Sequence, residues 1–236
     1  MPAESTRAFR QHSRNLKSVE HGLLMAERAH KAAIRRNHQD EIEFHSRMHL
    51  LVVGVMAEAR LRKILWDPSG FNNRERDLVL SKRSQLERWE LAVEYAFRRH
   101  YTIPMHLGLD AVPQPQRDQS ARLRSMLGTD LKPVIETRND VAHGFWEWIM
   151  NARETSITAA APSLLNYLQI HRRSGALAEL GGLIYALAIS EPTFQRDYDE
   201  HLDAIEALSH GFAADDFTSW KQTMAPMPQP APIRVI

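Results

Sequence analysis

The sequence of 236 residues contains no cysteine. This absence excludes disulfide bonds, a cysteine nucleophile and zinc sites with cysteine ligands. A cysteine-free chain is compatible with a reducing compartment, and we expect a cytoplasmic protein.

The sequence also lacks long apolar segments. Its longest apolar run, LLVVGVMA at 50–57, is much shorter than the roughly 18 residues that a membrane span needs. The first residues, MPAESTRAFRQHSRN, contain no apolar segment of the kind found in secretory signals. We therefore expect no membrane span and no secretory signal, and we interpret 50–57 as part of a buried helix.

The sequence has almost no net charge, because it contains 30 lysines and arginines and 29 aspartates and glutamates. The whole composition thus gives no indication of nucleic-acid binding. The charge is unevenly distributed, however: residues 1–100 carry 19 basic and 13 acidic side chains, whereas 101–236 carry 11 and 16. A basic N-terminal half could attract an acidic polymer, or the halves could be two solvated surfaces of opposite charge.

Apolar residues recur every three or four positions through most of the chain, which is typical of amphipathic helices. The predicted helices cover about 13–38, 40–66, 72–100, 118–143, 164–189 and 190–207. Asn73 is the predicted N-cap of the third helix, and Gly128 and Pro133 should interrupt the fourth. The proline-containing segment 101–116 is predicted to be a loop.

These helices predict an all-α protein, an up-and-down antiparallel helix bundle with additional N- and C-terminal helices. We expect one domain over 1–225, with its core at about 40–150 and a C-terminal helical extension at about 160–223. Residues 226–236 are rich in proline and are predicted to form a disordered tail.

The most informative segment is RNDVAHGFW at 138–146, which closes the fourth predicted helix. Asn139 and His143 are four residues apart and share a helix face, and the long side chain of Arg138 can reach the same side. Arginine binds phosphate through a planar set of donors, and histidine transfers protons near neutral pH. The set suits attack of a ribose 2′-hydroxyl on the adjacent phosphodiester, without a metal ion.

A structural role for the same residues is the more common outcome of such a spacing. A histidine in the last helical turn interacts favourably with the helix dipole, and an arginine there can bind free carbonyls. Arg138 could also pair with Glu136 or Asp140. The spacing alone therefore leaves both interpretations open.

The phrase ETRNDVAHGFW resembles the motif of the higher eukaryotes and prokaryotes nucleotide-binding (HEPN) superfamily. In that motif an arginine, often followed by a polar residue, precedes a histidine by four to six intervening residues late in a bundle helix. LLVVGVMAEARL, the helix that contains Trp89, and SEPTFQRDYDEH look like other parts of bacterial members. The resemblance spans about 45–205, and its specific signal lies at 138–146.

This resemblance implies an α-bundle of HEPN type that forms a homodimer, with two motif copies facing each other across a two-fold cleft. It implies a metal-independent endoribonuclease that cleaves RNA and leaves a 2′,3′-cyclic phosphate. Arg138 and His143 would be the catalytic pair, and Asn139 a supporting residue. The implied context is toxin–antitoxin systems, phage defence or RNA processing, with an antitoxin or regulatory protein as a possible partner.

Other members of the superfamily are non-catalytic. The alternative function is therefore a dimeric module that binds RNA, a nucleotide or a protein partner.

Glu58 is a carboxylate within the apolar second helix, where an acidic group needs a partner. Arg138 would satisfy this need and would itself be oriented by the pair. Arg62, one turn further along the same helix, is the alternative partner.

Three arginines, Arg60, Arg98 and Arg99, are candidate contacts to an RNA backbone. A solvated helix face would explain them equally simply. Trp146 and Trp148, just after the motif, could stack on a base or pack against the bundle.

Two patterns suggest metal ligands but are incomplete. Glu41, His45 and His49 share one helix face, and Glu27 with His30 is half of a di-iron motif. Because neither has a matching second motif, we predict no metal site and no cofactor.

Overall fold

The computed structural model describes residues 2–150, 155–160, 164–214, 217–224 and 226. These residues form nine α-helices and one short two-stranded sheet. The helices are α1 Pro2–Arg36, α2 Gln39–Trp66, α3 Asn73–Leu80, α4 Gln85–His100, α5 Gln114–Met126, α6 Lys132–Ala142, α7 Tyr167–Ile189, α8 Glu191–Ala214 and α9 Phe217–Gln222. The strands are β1 Trp148–Met150 and β2 Ile157–Ala160.

The first two helices form a long antiparallel hairpin. Asn37, with a φ of 55°, supplies the left-handed residue at the turn, a conformation that asparagine tolerates well. Late residues of α1 meet early residues of α2, as in the His30–Ser46 contact, and Glu20 meets Arg60 at the other end. The predicted second helix is confirmed, whereas the first extends eleven residues further toward the N-terminus than the predicted start at 13.

The predicted helix at 72–100 is wrong in one respect, because it is two helices. Ser84 forms a capping box with Glu87 and starts α4 anew. The N-cap of α3 is Asn72 and not Asn73, since the Asn72 side chain accepts a hydrogen bond from the Glu75 amide at 3.0 Å.

The segment predicted as a loop over 101–116 is helical at its end. A 3-10 turn spans Leu109–Ala111, and α5 begins at Gln114 with Pro115 in its first turn, where a missing N–H has no cost. A π-helical turn, Leu127–Leu131, then joins α5 to α6 at the predicted interruption around Gly128.

The end of α6 is the predicted one. Gly144 has a φ of 78°, which a glycine adopts readily, and it directs the chain out of the helix into β1. The antiparallel pair β1–β2 follows immediately. Trp148 therefore lies on a strand and not on a helix.

The C-terminal part is a second hairpin, of α7 and α8. Helix α7 continues through Gly181 and Gly182. The missing side chain at Gly181 lets Arg60 lie against this face of α7, because an added Cβ would overlap Cδ of Arg60. Ser190 accepts a hydrogen bond from the Thr193 amide at 3.4 Å, near the start of α8. Apart from Pro226, the predicted proline-rich tail lies outside the described residues.

One hydrophobic core unites these elements. Its fully buried members come from several helices and include Leu50, Val53 and Leu65 of α2, Phe97 of α4, Leu123 of α5, Leu180, Leu183 and Ile184 of α7 and Phe194 of α8. The all-α bundle predicted from the sequence is thus confirmed, and α7 supplies part of its centre.

No helix in the described part of the chain is long and apolar enough to cross a membrane.

Candidate functional site

The site is built where α6 crosses α2 in the antiparallel direction. A Cβ at Gly54 would lie 2.6 Å from both Cβ and Cγ of Arg138, which is closer than real atoms approach. The missing side chain at Gly54 therefore lets the stem of Arg138 lie directly against α2. This close approach fixes the position from which the guanidinium projects.

Arg138 is held by two neighbours. Its Nη2 lies 3.5 Å from Oε2 of Glu58, and its Nη1 donates a hydrogen bond to Oδ1 of Asn139 at 3.0 Å. Glu58 also accepts a hydrogen bond from Nη2 of Arg62 at 2.5 Å, so both predicted partners of Glu58 are present. The Arg138 side chain remains 30% exposed, and among the described residues its buried Nε has no hydrogen-bond partner.

His143 lies one turn beyond Asn139, at the exposed end of α6. Its backbone N–H donates to the carbonyl of Asn139 at 2.9 Å, and its ring lies 6.1 Å from that of Phe145. In the described ranges, the imidazole nitrogens make no hydrogen bond with protein. The structure thus joins Arg138 to Asn139 by a direct contact and leaves His143 separate and open to solvent.

Asp140 completes this end of α6 and was assigned no role by the motif. Its side chain is half-buried, and within the described residues its carboxylate makes no hydrogen bond or ion pair. Burial and the nearby Glu136 raise the pKa of Asp140, and His143 opposes that rise.

Trp146 is fixed in orientation while staying partly accessible. Its Nε1 donates to the carbonyl of Val141 at 3.1 Å, and the guanidinium of Arg47 lies 5.1 Å from its ring centre. Trp146 is 37% exposed and Trp148 is 52% exposed. Of the two predicted roles, packing therefore accounts for only part of each ring.

The three candidate RNA-binding arginines lie in intramolecular contacts. Arg60 binds Glu20 and the carbonyl of Leu177, and Arg98 binds Glu94 and two loop carbonyls. Arg99 donates to the carbonyls of Gly70 and Ala188. The described contacts bring none of the three arginines to Arg138, Asn139 or His143.

A second group of histidines lies inside the molecule. His30 and His49 are completely buried, with their Nδ1 atoms 3.5 Å apart, and Oγ of Ser46 is 3.1 Å from Nε2 of His30. Burial lowers the pKa of His30 to about 4 and that of His49 to about 3. Both rings are therefore neutral at physiological pH.

The suggested metal patterns do not converge. Glu41 binds Arg36 through Nη2 at 2.6 Å, away from His49. Glu27 binds His171 at 3.1 Å and lies 4.0 Å from Nε2 of His49. Across the described ranges, no group of three or more histidine, aspartate or glutamate residues is arranged to hold a metal ion.

Sequence reasoning missed Gly54, and it considered Asp140 only as a possible partner of Arg138. A glycine inside the apolar run 50–57 was a usable signal, because glycine in a buried helix often marks a close helix contact. The surroundings of Asp140 carried no such signal, since they come from elements distant in sequence.

Comparisons of the chain with protein-family models, curated proteins and solved structures found no match.

Proposed function

We propose that this protein is a metal-independent endoribonuclease of HEPN type that works as a homodimer on RNA. Arg138 binds the scissile phosphate, His143 transfers the proton and Asn139 supports the arginine. The proposal includes a cytoplasmic location, an antitoxin or regulatory partner and a role in toxin–antitoxin systems or phage defence.

The observation that carries the proposal is the different environment of Arg138 and His143 at the end of α6. Arg138 is oriented by Glu58 and Asn139 yet remains partly exposed. His143, at the end of the same helix, is exposed, and its imidazole makes no hydrogen bond to another described residue. An arginine held in place costs less to order around a phosphate. A solvent-facing imidazole is free to exchange protons with a substrate.

In the proposed reaction, one His143 takes the proton from the ribose 2′-hydroxyl. The 2′-oxygen then forms a bond to phosphorus, and the bond from phosphorus to the 5′-oxygen breaks. The leaving oxygen receives a proton from the imidazolium of His143 in a second copy of the chain. Arg138 stabilises the charge on the phosphoryl oxygens, and the products are a 2′,3′-cyclic phosphate and a 5′-hydroxyl.

A second function, a non-catalytic dimeric module that binds RNA, a nucleotide or a protein, is favoured by a different observation. Asp140 lies within the motif, and Glu58 pairs with Arg138 and neutralises part of its charge. Such carboxylates weaken phosphate binding at the site, so they favour a protein partner within this second function.

The deciding experiment is cleavage of total RNA in EDTA by the wild type, His143→Ala and His106→Ala, with analysis of the end groups. His106 is an exposed histidine outside the motif and serves as the matched control. We expect cyclic phosphate ends from the wild type and His106→Ala, and a loss of about 100-fold or more in His143→Ala. Equal cleavage by all three would show that His143 is not the catalytic group. No cleavage by any folded, dimeric sample would support the binding module.

A further inference from the structure

A pocket of about 510 Å³ opens beside the motif on the side of α6 that carries Asp140. Its walls come from α2, α6, β1 and the start of α7. Leu50, Ile149 and Leu165 provide apolar surface, and Glu136, Asp140 and Arg173 provide the charged groups. The volume falls within the range of about 300–1,000 Å³ that is usual for small-molecule sites.

Asp140 contributes a carboxylate to this pocket. Its carboxylate is half-buried and, among the described residues, is bound by no donor, although Glu136 on the same helix face has Lys132 at 3.9 Å. An ionised carboxylate accepts hydrogen bonds at two oxygens and donates none. Asp140 can therefore accept hydrogen bonds from two neighbouring N–H donors of a ligand.

Arg173 places the opposite chemistry in the same pocket. Its guanidinium carries five N–H donors in a rigid plane, so it can serve a ligand in addition to its contacts within the chain. The pocket therefore combines an acceptor on α6, a donor on α7 and apolar walls that suit a flat ring.

We propose that this pocket binds a guanine base. Guanine carries two adjacent donors, N1–H and the 2-amino group, that match the carboxylate of Asp140, and two adjacent acceptors, O6 and N7, that match the guanidinium of Arg173. Adenine and cytosine lack the paired donors, and uracil lacks the amino group. The aliphatic side chains pack against the faces of the ring.

Asp140 lies about one helical turn from His143, so the pocket adjoins the proposed catalytic group. The identity of the natural ligand as RNA therefore rests on the proposed function. A guanine in the pocket would belong to an RNA strand bound near His143, and the enzyme would then prefer to cleave close to a guanosine. A free guanine nucleotide offers the same base, and the experiment separates these two sources.

The test is equilibrium binding to the full chain, measured by calorimetry, for the four nucleoside 5′-monophosphates and for 2′-deoxy oligonucleotides with and without one guanine. These DNA ligands lack the attacking hydroxyl, so binding is measured without cleavage. A guanine preference seen only with the oligonucleotide indicates a polymer site, and one seen also with the free nucleotide indicates a nucleotide site. Either result supports the inference even if the nuclease activity is absent.

The informative variant is Asp140→Asn, which preserves size and removes one acceptor. We expect the preference for guanine over adenine to fall about 5- to 150-fold, since a well-placed pair of hydrogen bonds to a base contributes about 1–3 kcal/mol of discrimination. Glu147→Gln removes an exposed charge near the motif outside the pocket and should keep the preference. Equal binding of all four bases, no binding of any, or an unchanged preference in folded Asp140→Asn would each overturn the inference.

Discussion

Two groups of histidines in this protein have the same chemistry and opposite surroundings. His30 and His49 face each other in the α1–α2 interface and have no solvent exposure. His143 ends α6 with an exposed ring. Burial lowers the pKa of the first two far below neutrality, which makes them neutral packing groups at physiological pH.

The difference teaches that histidine spacing does not identify a reactive histidine. The row Glu41, His45 and His49 is as regular as the motif around His143. Helix packing decides the outcome, because the α1–α2 hairpin closes over His49, whereas nothing in the described chain covers His143. Only a histidine that meets solvent can exchange protons with a substrate.

The largest expected effect on stability is the destabilisation of the fold by acid through the buried pair His30 and His49. Unfolded histidines bind protons below pH 6.5, whereas folded His30 and His49 remain neutral until about pH 4 and 3. The unfolded state therefore gains protons first, and stability falls as the pH drops below 6.5. We expect the pair to lower the free energy of unfolding by about 4 kcal/mol between pH 7.5 and pH 5, as urea denaturation would measure.

The variant that isolates this effect is His49→Leu, which keeps an apolar group of similar size. Its loss of stability between pH 7.5 and pH 5 should be smaller than that of the wild type by about 2 kcal/mol. Parallel profiles for wild type and His49→Leu would mean that the buried pair does not titrate as its burial requires.

Gly54→Ala tests how the exposed site depends on the buried interface. The new Cβ would lie 2.6 Å from two side-chain carbons of Arg138, so α6 or the arginine must move. Overpacking costs about 1–3 kcal/mol, and the better helix propensity of alanine offsets up to about 1 kcal/mol of it. We expect lower stability by thermal unfolding and a clear loss of RNA cleavage.

The matched control is Gly22→Ala in α1, where an added Cβ meets no atom within 4 Å. The free energy of unfolding of this variant should rise by about 0.5–1 kcal/mol, because alanine favours the helix more than glycine does. Its RNA cleavage should be unchanged. Should Gly54→Ala behave like Gly22→Ala, the close approach of Arg138 to α2 would not define the site.

The sequence predicted the fold correctly where the spacing of apolar residues or one capping residue determines a helix. The bounds of α2, the end of α6 at Gly144 and the all-α class all follow from apolar spacing and one glycine. The split of 72–100 was missed although the polar segment SKRSQ at 81–85 interrupts the apolar spacing and Ser84 and Glu87 carried the signal of a new cap. Prolines at 113 and 115 suggested a loop, although proline also suits the first turn of a helix.

The site was predictable only in its local part. Arg138, Asn139 and His143 are neighbours in sequence, and so were singled out together. For Glu58 the sequence offered two partners, Arg62 on the same helix and Arg138 on another. Spacing alone cannot decide between them, and the structure shows an ion pair with each. The pocket around Asp140 requires Arg173 and Ile149, which only the tertiary fold brings to α6.

The smallest expected effect on stability concerns Glu58, which links the two regions by placing an α2 carboxylate on the α6 arginine. Glu58→Gln removes one charge from a partly exposed pair, so the free energy of unfolding should change by less than about 1 kcal/mol. Cleavage should fall several-fold, because Arg138 loses the partner that orients it. The measurement is single-turnover cleavage of a defined RNA.

Arg62→Met is the control, since it frees Glu58 from its other partner and leaves the pair with Arg138 in place. Its cleavage rate should equal that of the wild type. A faster Glu58→Gln enzyme would reverse the assignment, because it would mean that Glu58 competes with phosphate for Arg138. Glu58 would then inhibit the site by occupying Arg138. Cleavage would require a substrate phosphate that displaces the Glu58 carboxylate from Arg138.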